Sequence, residues 1–224
     1  MAVYACSDLH GMYQLYEKIK RFLKPDDVVY FLGDAVDRGP NSFKLFKAIY
    51  YDPQFRFIKG NHEDMFYEAL EDFERRGNFA GSRSHLHRCN GGMITWEQWI
   101  NDGADLNWGR KILGLPERLD YINKDNITVC LTHAGFTPGS NHYDYIWDRK
   151  HFDDDMTDEL CKDVMIVHGH TPWCYLTGED ELSKPHIVTY GDGHKIDIDC
   201  GSFFSGVAAL LNLDTFEPIY FNLT

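Results

Sequence analysis

Val28-Val29-Tyr30-Phe31-Leu32-Gly33-Asp34-Ala35-Val36-Asp37-Arg38-Gly39 is an apolar run that stops at a glycine, then presents two carboxylates and a guanidinium. Five residues that are β-branched, aromatic or leucine, ending in a turn cluster, make a buried strand. The chain repeats the device. Residues 2–6, 55–58, 127–131 and 164–167 are short apolar runs of the same kind. They lead into Asp8 and His10, Asn61 and His62, His133, and His170 in turn. Strand exits that carry carboxylates, imidazoles and a carboxamide focus oxygen and nitrogen ligands on one sheet edge. Residues far apart in the chain build a two-metal hydrolytic centre in this way.

Helical patterns separate the first strands. Residues 12–23 set Met12, Leu15, Tyr16, Ile19, Phe22 and Leu23 on one face and Glu17, Lys18, Lys20 and Arg21 on the other, and Pro25 stops the pattern. Asn41 or Ser42 is placed to cap a helix through Tyr50, ahead of Pro53, and residues 63–76 continue the alternation. A β–α–β–α–β–α opening predicts an α/β fold with a mainly parallel sheet. Residues 77–107 hold polar and glycine clusters around a Trp-bearing segment, 93–100, and 111–121 reads as one or two more short helices. Residues 77–121 have too little apolar mass for a core of their own. They are expected as a helical insertion over the sheet edge, within a single domain of residues 1–224. Strand-like runs at 187–190, 195–199, 206–212 and 218–222 follow closely, with glycine-rich joints. They predict antiparallel hairpins and a second sheet packed on the first.

The 224 residues, 43% hydrophobic and 25% charged, suit one globular core. A net charge of −13 argues against nucleic acid or an anionic membrane as the main partner, while leaving room for a local basic pocket. There is no basic-plus-apolar leader and no apolar run of membrane-spanning length, so a cytoplasmic protein, monomeric by default, is expected. Cys6, Cys89, Cys130, Cys161, Cys174 and Cys200 show no CxxC spacing and read as reduced thiols, not as disulfides or zinc–thiolate sites.

In the opening stretch, the two oxygens of one carboxylate can bridge two cations. Asp37, three residues after Asp34, is spaced as an orienting partner, and Arg38 offers a bidentate clamp for phosphate. Asp8 and His10, two apart at a strand exit with Gly11 turning the chain, can face one ion. Gly60-Asn61-His62-Glu63 supplies a neutral oxygen ligand and then an imidazole, whose adjacency to Asn61 favours a place beside the metals. His133 and His170 complete the set, and His168, two residues before His170, is the alternative ligand. Trp147-Asp148-Arg149 offers a second arginine near a loop. His85, His87, His142, His151, His186 and His194 lie in polar stretches and are expected at the surface. Trp96 and Trp99 are expected to pack, and Asp153, Asp154 and Asp155 to start a solvated helix.

Asp8-Leu9-His10-Gly11, residues 33–39, residues 60–63, His133-Ala134-Gly135 and Gly169-His170-Thr171 occur in the order and approximate spacing of the phosphoprotein phosphatase family of metallophosphoesterases. The resemblance covers the whole chain. Its length, Trp147-Asp148-Arg149 and Ile198-Asp199-Cys200-Gly201 are most similar to the compact bacterial and phage, lambda-phosphatase-like serine/threonine phosphatases. The resemblance implies a calcineurin-like α/β fold of two packed mixed β-sheets flanked by α-helices. It implies one metal on Asp8, His10 and Asp34, and a second on Asp34, Asn61, His133 and His170, favouring His170 over His168. It implies Arg38 and Arg149 on the substrate phosphate, lined also by Asn61 and His62, with His62 as general acid partnered by Asp37. Two features depart from the pattern. Ser7 replaces a usual glycine. Phe136-Thr137-Pro138 resembles the diadenosine tetraphosphate hydrolase branch, although that branch typically has Ala in place of Asp37 and Trp after Gly-His.

The function expected on this resemblance is hydrolysis of phosphomonoesters, first of all protein phosphoserine and phosphothreonine. A hydroxide bridging two cations would attack phosphorus in line, with His62, kept protonated, supplying the leaving group's proton. Manganese is the first choice of metal, with iron and zinc as alternatives. The expected partner is a phosphorylated protein or small phosphoester. The rival readings are a dinucleoside polyphosphate or other nucleotide phosphoesterase with the same centre, and a catalytically silent metal-binding interaction module.

Overall fold

The computed structural model describes residues 1–137, 140–141, 143–149, 152 and 164–223. The chain opens with β1 (Val3–Cys6), α1 (Tyr13–Phe22), β2 (Val28–Phe31), α2 (Ser42–Tyr51), β3 (Phe55–Phe57) and α3 (Asn61–Arg76). β1, β2 and β3 pair in parallel, as the alternation predicts. Along β1 the side chains alternate between two cores. Tyr4 and Cys6 join Leu15, Ile19, Phe31, Phe46 and Phe66 under the helices. Val3 and Ala5 join Leu32, Val129, Leu131, Val167 and Ile196 between the two sheets. Each fully buried Leu, Val, Ile or Phe contributes about 1.5–3 kcal/mol of transfer free energy.

Three helices follow: α4 (Ser82–Cys89), α5 (Met93–Asn101) and α6 (Asn107–Leu113). α4 and α6 pack on α3, and α5 packs on α2. Trp96, Trp99, Trp108 and Ile112 are buried in the same core as the helices beneath, so Trp96 and Trp99 do pack. Residues 111–121 are not the further helices expected. α6 ends at Leu113, and β4 (Arg118–Ile122) pairs antiparallel with β5 (Thr128–Thr132). Pro116 cannot continue a helix. Beyond it, Leu119 and Tyr121 alternate onto the inter-sheet core.

Next come α7 (Asp144–Trp147), β6 (Val164–His168), α8 (Trp173–Thr177), β7 (Val188–Tyr190), β8 (Lys195–Asp197), α9 (Ser202–Ser205), β9 (Val207–Asn212) and β10 (Pro218–Asn222). The sheets run β10-β9-β1-β2-β3 and β4-β5-β6-β8-β7. The late strands form the expected hairpins but not a sheet of their own. β9–β10 extends the first sheet beside β1, and β7–β8 closes an edge of the second. The second sheet begins in mid-chain, with β5 and β6 as its parallel centre. The strand exits that carry the candidate ligands therefore belong to two sheets, and the candidate site sits at their shared C-terminal end.

Cys6, Cys130, Cys174 and Cys200 are buried unpaired thiols, and Cys89 is exposed and unpaired. Cys161, His142, His151 and the acidic run at 153–155 lie outside the described residues. Among the described residues, no helix is long and apolar enough to cross a membrane.

Candidate metal centre

The loops that leave β1 and β2 are laced together by backbone bonds from Asp8 N to Gly33 O (3.0 Å), His10 N to Asp34 O (2.9 Å) and Gly11 N to Ala35 O (2.9 Å). The lacing forces unusual backbone. Asp8, His10, Asp34, Asp37, Arg38 and His170 all have positive φ, between 39° and 74°. Each such non-glycine residue costs about 1–3 kcal/mol and persists only where its surroundings over-determine it. Glu63, in the first turn of α3, supplies part of that restraint. Its carboxylate accepts the backbone N–H groups of Asp34 (2.8 Å), Ala35 (2.8 Å), Val36 (3.3 Å) and Gly60 (2.9 Å). Burial lifts the Glu63 carboxyl to about 7, against the pull of those four donors.

Asp34 lies at the middle. Its Oδ2 is 3.5 Å from His10 Nε2, and its Oδ1 is 3.4 Å from His133 Nε2. One oxygen thus faces each of two ligand groups. His10, Asp34 and His62 bring ligand atoms within 4.8 Å of one another, and so do Asp34, His133 and His170. Asn61 Oδ1 lies 2.8 Å from His133 Nε2 and 3.0 Å from His170 Nδ1. Asp8 Oδ2 accepts the backbone N–H of His170 at 3.0 Å.

The donor chemistry fits divalent cations. His10 Nδ1 donates to Val36 O (2.9 Å) and His133 Nδ1 to Leu32 O (2.7 Å), which leaves each Nε2 with a lone pair toward the site. Burial holds His10 and His170 well below the usual imidazole range and His133 at about 3, so all three are neutral. Burial, then the neighbouring Asp199 charge, pushes Asp8 up. Burial, then Asp8 and Glu63, does the same to Asp34. Asp8 Oδ1 and His170 Nε2 are buried without a hydrogen-bond partner. Crowded carboxylates and an orphaned carboxylate oxygen such as Asp8 Oδ1 are what a cation relieves, and the nitrogen of His170 that faces the cluster is Nδ1, beside Asn61 Oδ1 and His133 Nε2. With oxygen and imidazole donors and no thiolate, manganese, iron and zinc all suit the set.

His168 lies apart from these groups. It is fully buried, its Nε2 is 2.5 Å from the Tyr190 hydroxyl, and Asp197 is 3.5 Å from its Nδ1.

His62 Nδ1 lies 2.6 Å from Asp37 Oδ2, and Arg38 reaches His62 Nε2 at 2.9 Å and His10 Nε2 at 2.6 Å. A guanidinium only donates, so both imidazole nitrogens accept. His62 is therefore neutral here, against the expectation that it stays protonated. Burial is the main cause of a pKa near 4. The Asp37 carboxylate opposes it, while the neighbouring Arg38 guanidinium adds to it.

His87 is the clearest correction. Expected at the surface, it is fully buried, with Nε2 2.8 Å from both oxygens of Asp37. The buried face of α4 is Ser84 and His87, so the helix has no apolar stripe and its periodicity reads as solvated. Of the other histidines in that group, His85 is exposed and His186 and His194 are half-buried.

Arg38 and Arg149 are both exposed on the rim of a cleft of about 630 Å³, shared with His170, Tyr175, Phe203 and Phe204. Arg149 Nε donates to Thr171 Oγ1 at 3.0 Å, and the Trp147 ring lies 6.3 Å from that of His170. Phe203 and Phe204, on the glycine-bounded turn α9, carry no chemistry that a sequence motif would flag.

Residues 1–198 match the calcineurin-like phosphoesterase family. The chain belongs to that family. As a calcineurin-like phosphoesterase it is a hydrolase of a class that binds two divalent metals. It is 31% identical over 146 residues to serine/threonine-protein phosphatase 2 of Escherichia coli K12, covering 62% of this chain and 61% of that protein. It is 37% identical over 153 residues to a symmetrical bis(5'-nucleosyl)-tetraphosphatase of Buchnera aphidicola, covering 62% of this chain and 46% of that one. It thus spans less than two thirds of either relative. Among solved structures, a metallophosphoesterase from Sphaerobacter thermophilus has the same fold. The TM-score is 0.58 at 16% identity, over 100% of this chain and 89% of that one.

Proposed function

We propose that this metallophosphoesterase is a protein serine/threonine phosphatase. Asp8, His10 and Asp34 would hold one cation, and Asp34, Asn61, His133 and His170 the other. The cations would supply Lewis acidity toward the phosphoryl oxygens and an activated water. Arg38 and Arg149, on one cleft rim, bind and orient the phosphate. As Arg38 turns onto the phosphate it releases His62 Nε2, and the arriving dianion favours an imidazolium there. Asp37 holds Nδ1–H and keeps Nε2 aimed at the leaving oxygen.

The Asp37–His62 pair at 2.6 Å carries this reading. A serine or threonine alkoxide is a poor leaving group and needs a proton as it departs. The phosphate leaving group of a nucleotide anhydride does not. With manganese supplied, phosphoserine peptides should be turned over with a higher kcat/KM than diadenosine tetraphosphate, and a chelator should abolish both activities. The reverse preference would favour the second reading, a dinucleoside polyphosphate hydrolase. Tyr175, Phe203 and Phe204 in the cleft support that alternative, because each could stack a base.

A further inference from the structure

Asp37 is fully buried, and three hydrogens converge on its carboxylate. His62 Nδ1–H reaches Oδ2 at 2.6 Å, the Thr95 hydroxyl donates to Oδ1, and His87 Nε2 is 2.8 Å from both oxygens. His87 comes from α4 and Thr95 from α5, so the helices beyond α3 reach back into the site.

The other nitrogen of His87 settles its state. Nδ1 lies 2.7 Å from the indole Nε1 of Trp96. An indole N–H can only donate. Nδ1 must therefore hold a lone pair, and the single ring hydrogen of His87 sits on Nε2, facing Asp37. Trp96 is itself fixed, with its ring stacked on Phe79 at 4.3 Å and 5°. The Phe66 ring flanks His87 at 5.6 Å.

We infer that His87, locked neutral by Trp96, is a positioning residue for the acid step: it sets the Asp37 carboxylate so that His62 Nε2 stays aimed at the leaving oxygen. The inference rests on the acid role proposed for His62. His87 touches no substrate and moves no proton. Its neutrality matters because an imidazolium at this place would share the carboxylate's charge and weaken Asp37's hold on His62. With Trp96 donating to Nδ1, the full negative charge of Asp37 is left for His62.

The test compares a phosphoserine peptide with p-nitrophenyl phosphate, whose phenolate leaves without a proton. For His87→Ala, kcat on the peptide should fall about tenfold further than kcat on the aryl ester, with KM for both held, because a misaimed acid forfeits part of its usual factor. His87→Gln puts an N–H donor back beside Asp37 and should recover most of that loss. It also decides the matter if His87→Ala does not fold. In the wild-type protein, ¹⁵N imidazole shifts should show Nε2 protonated and Nδ1 bare. Equal losses on both esters in the variants, or a proton on Nδ1, would overturn the role of His87. His62→Asn is run beside them. If it too lacks leaving-group selectivity, the acid reading itself fails and His87 falls with it. If it is selective and the His87 variants are not, only this inference fails.

Discussion

Glu63 accepts the backbone N–H of Asp34 at 2.8 Å, tying the first turn of α3 to the loop that leaves β2. The same carboxylate takes three further backbone donors. Glu63→Gln keeps the shape but has one acceptor oxygen, so at least one buried N–H is orphaned. The cost should be about 2 kcal/mol, or about 4–8 °C in melting temperature for a chain of this size. Calorimetry checks this, and an unchanged melting temperature would remove Glu63 from its bracing role.

Asp34 offers one oxygen to each ligand group. Asp34→Asn removes the negative charge between them and halves the oxygen-donor capacity. Bound manganese, measured by atomic emission after gel filtration, should fall together with phosphatase activity. Full metal content in an inactive variant would contradict the shared role.

His62 is pulled down to about 4 from 6.5, mainly by burial. Between those values the unfolded chain binds a proton at this residue and the folded chain does not. The folded state therefore loses this contribution as pH falls from 6.5 toward 4, and the contribution is constant above that window. It amounts to about 3 kcal/mol at most. Denaturant unfolding of wild type and His62→Gln under chelating conditions should show a gap between the two that changes across this window and is level above it. A gap independent of pH would show that His62 does not titrate this way.

Gly169 leaves room for Asp8. A Cβ at position 169 would lie 2.1 Å from Asp8 Oδ2 and 2.4 Å from Ser7 Oγ. Gly169→Ala must displace the Asp8 carboxylate, and it should weaken metal binding at least tenfold while costing about 1–3 kcal/mol of stability. Titration with manganese by calorimetry tests this. Wild-type affinity would mean that Asp8 is not held where its ligand role requires.

Arg149 stands on the cleft rim, exposed, and donates to Thr171. Arg149→Ala should raise the inhibition constant for inorganic phosphate and KM for phosphopeptide about tenfold, with little change in melting temperature. Unchanged constants would discard the assignment.

Legibility differed along the chain for physical reasons. Strand exits such as Leu32-Gly33-Asp34 show in sequence because a buried strand must be apolar and its exit need not be. The division of the strands between two sheets does not show. β5 and β6 are as apolar as β1 and β2, and nothing local tells which sheet each joins. β4 was hidden by its edge position, where only Leu119 and Tyr121 face the core. His87 was hidden because the polar helix α4 buries hydrogen-bonding groups where a typical helix buries leucine. Glu63 was visible as a residue, but its work is done on backbone N–H groups from loops nearly thirty positions earlier, which no spacing rule reports.

The left-handed backbone at Asp8, His10, Asp34, Asp37, Arg38 and His170 sets an order of failure. Such conformations relax as soon as their neighbours loosen. Mild heat or denaturant should therefore silence this enzyme while its hydrophobic layers are still assembled, so catalysis is a more sensitive gauge of damage than any spectroscopic probe of the fold.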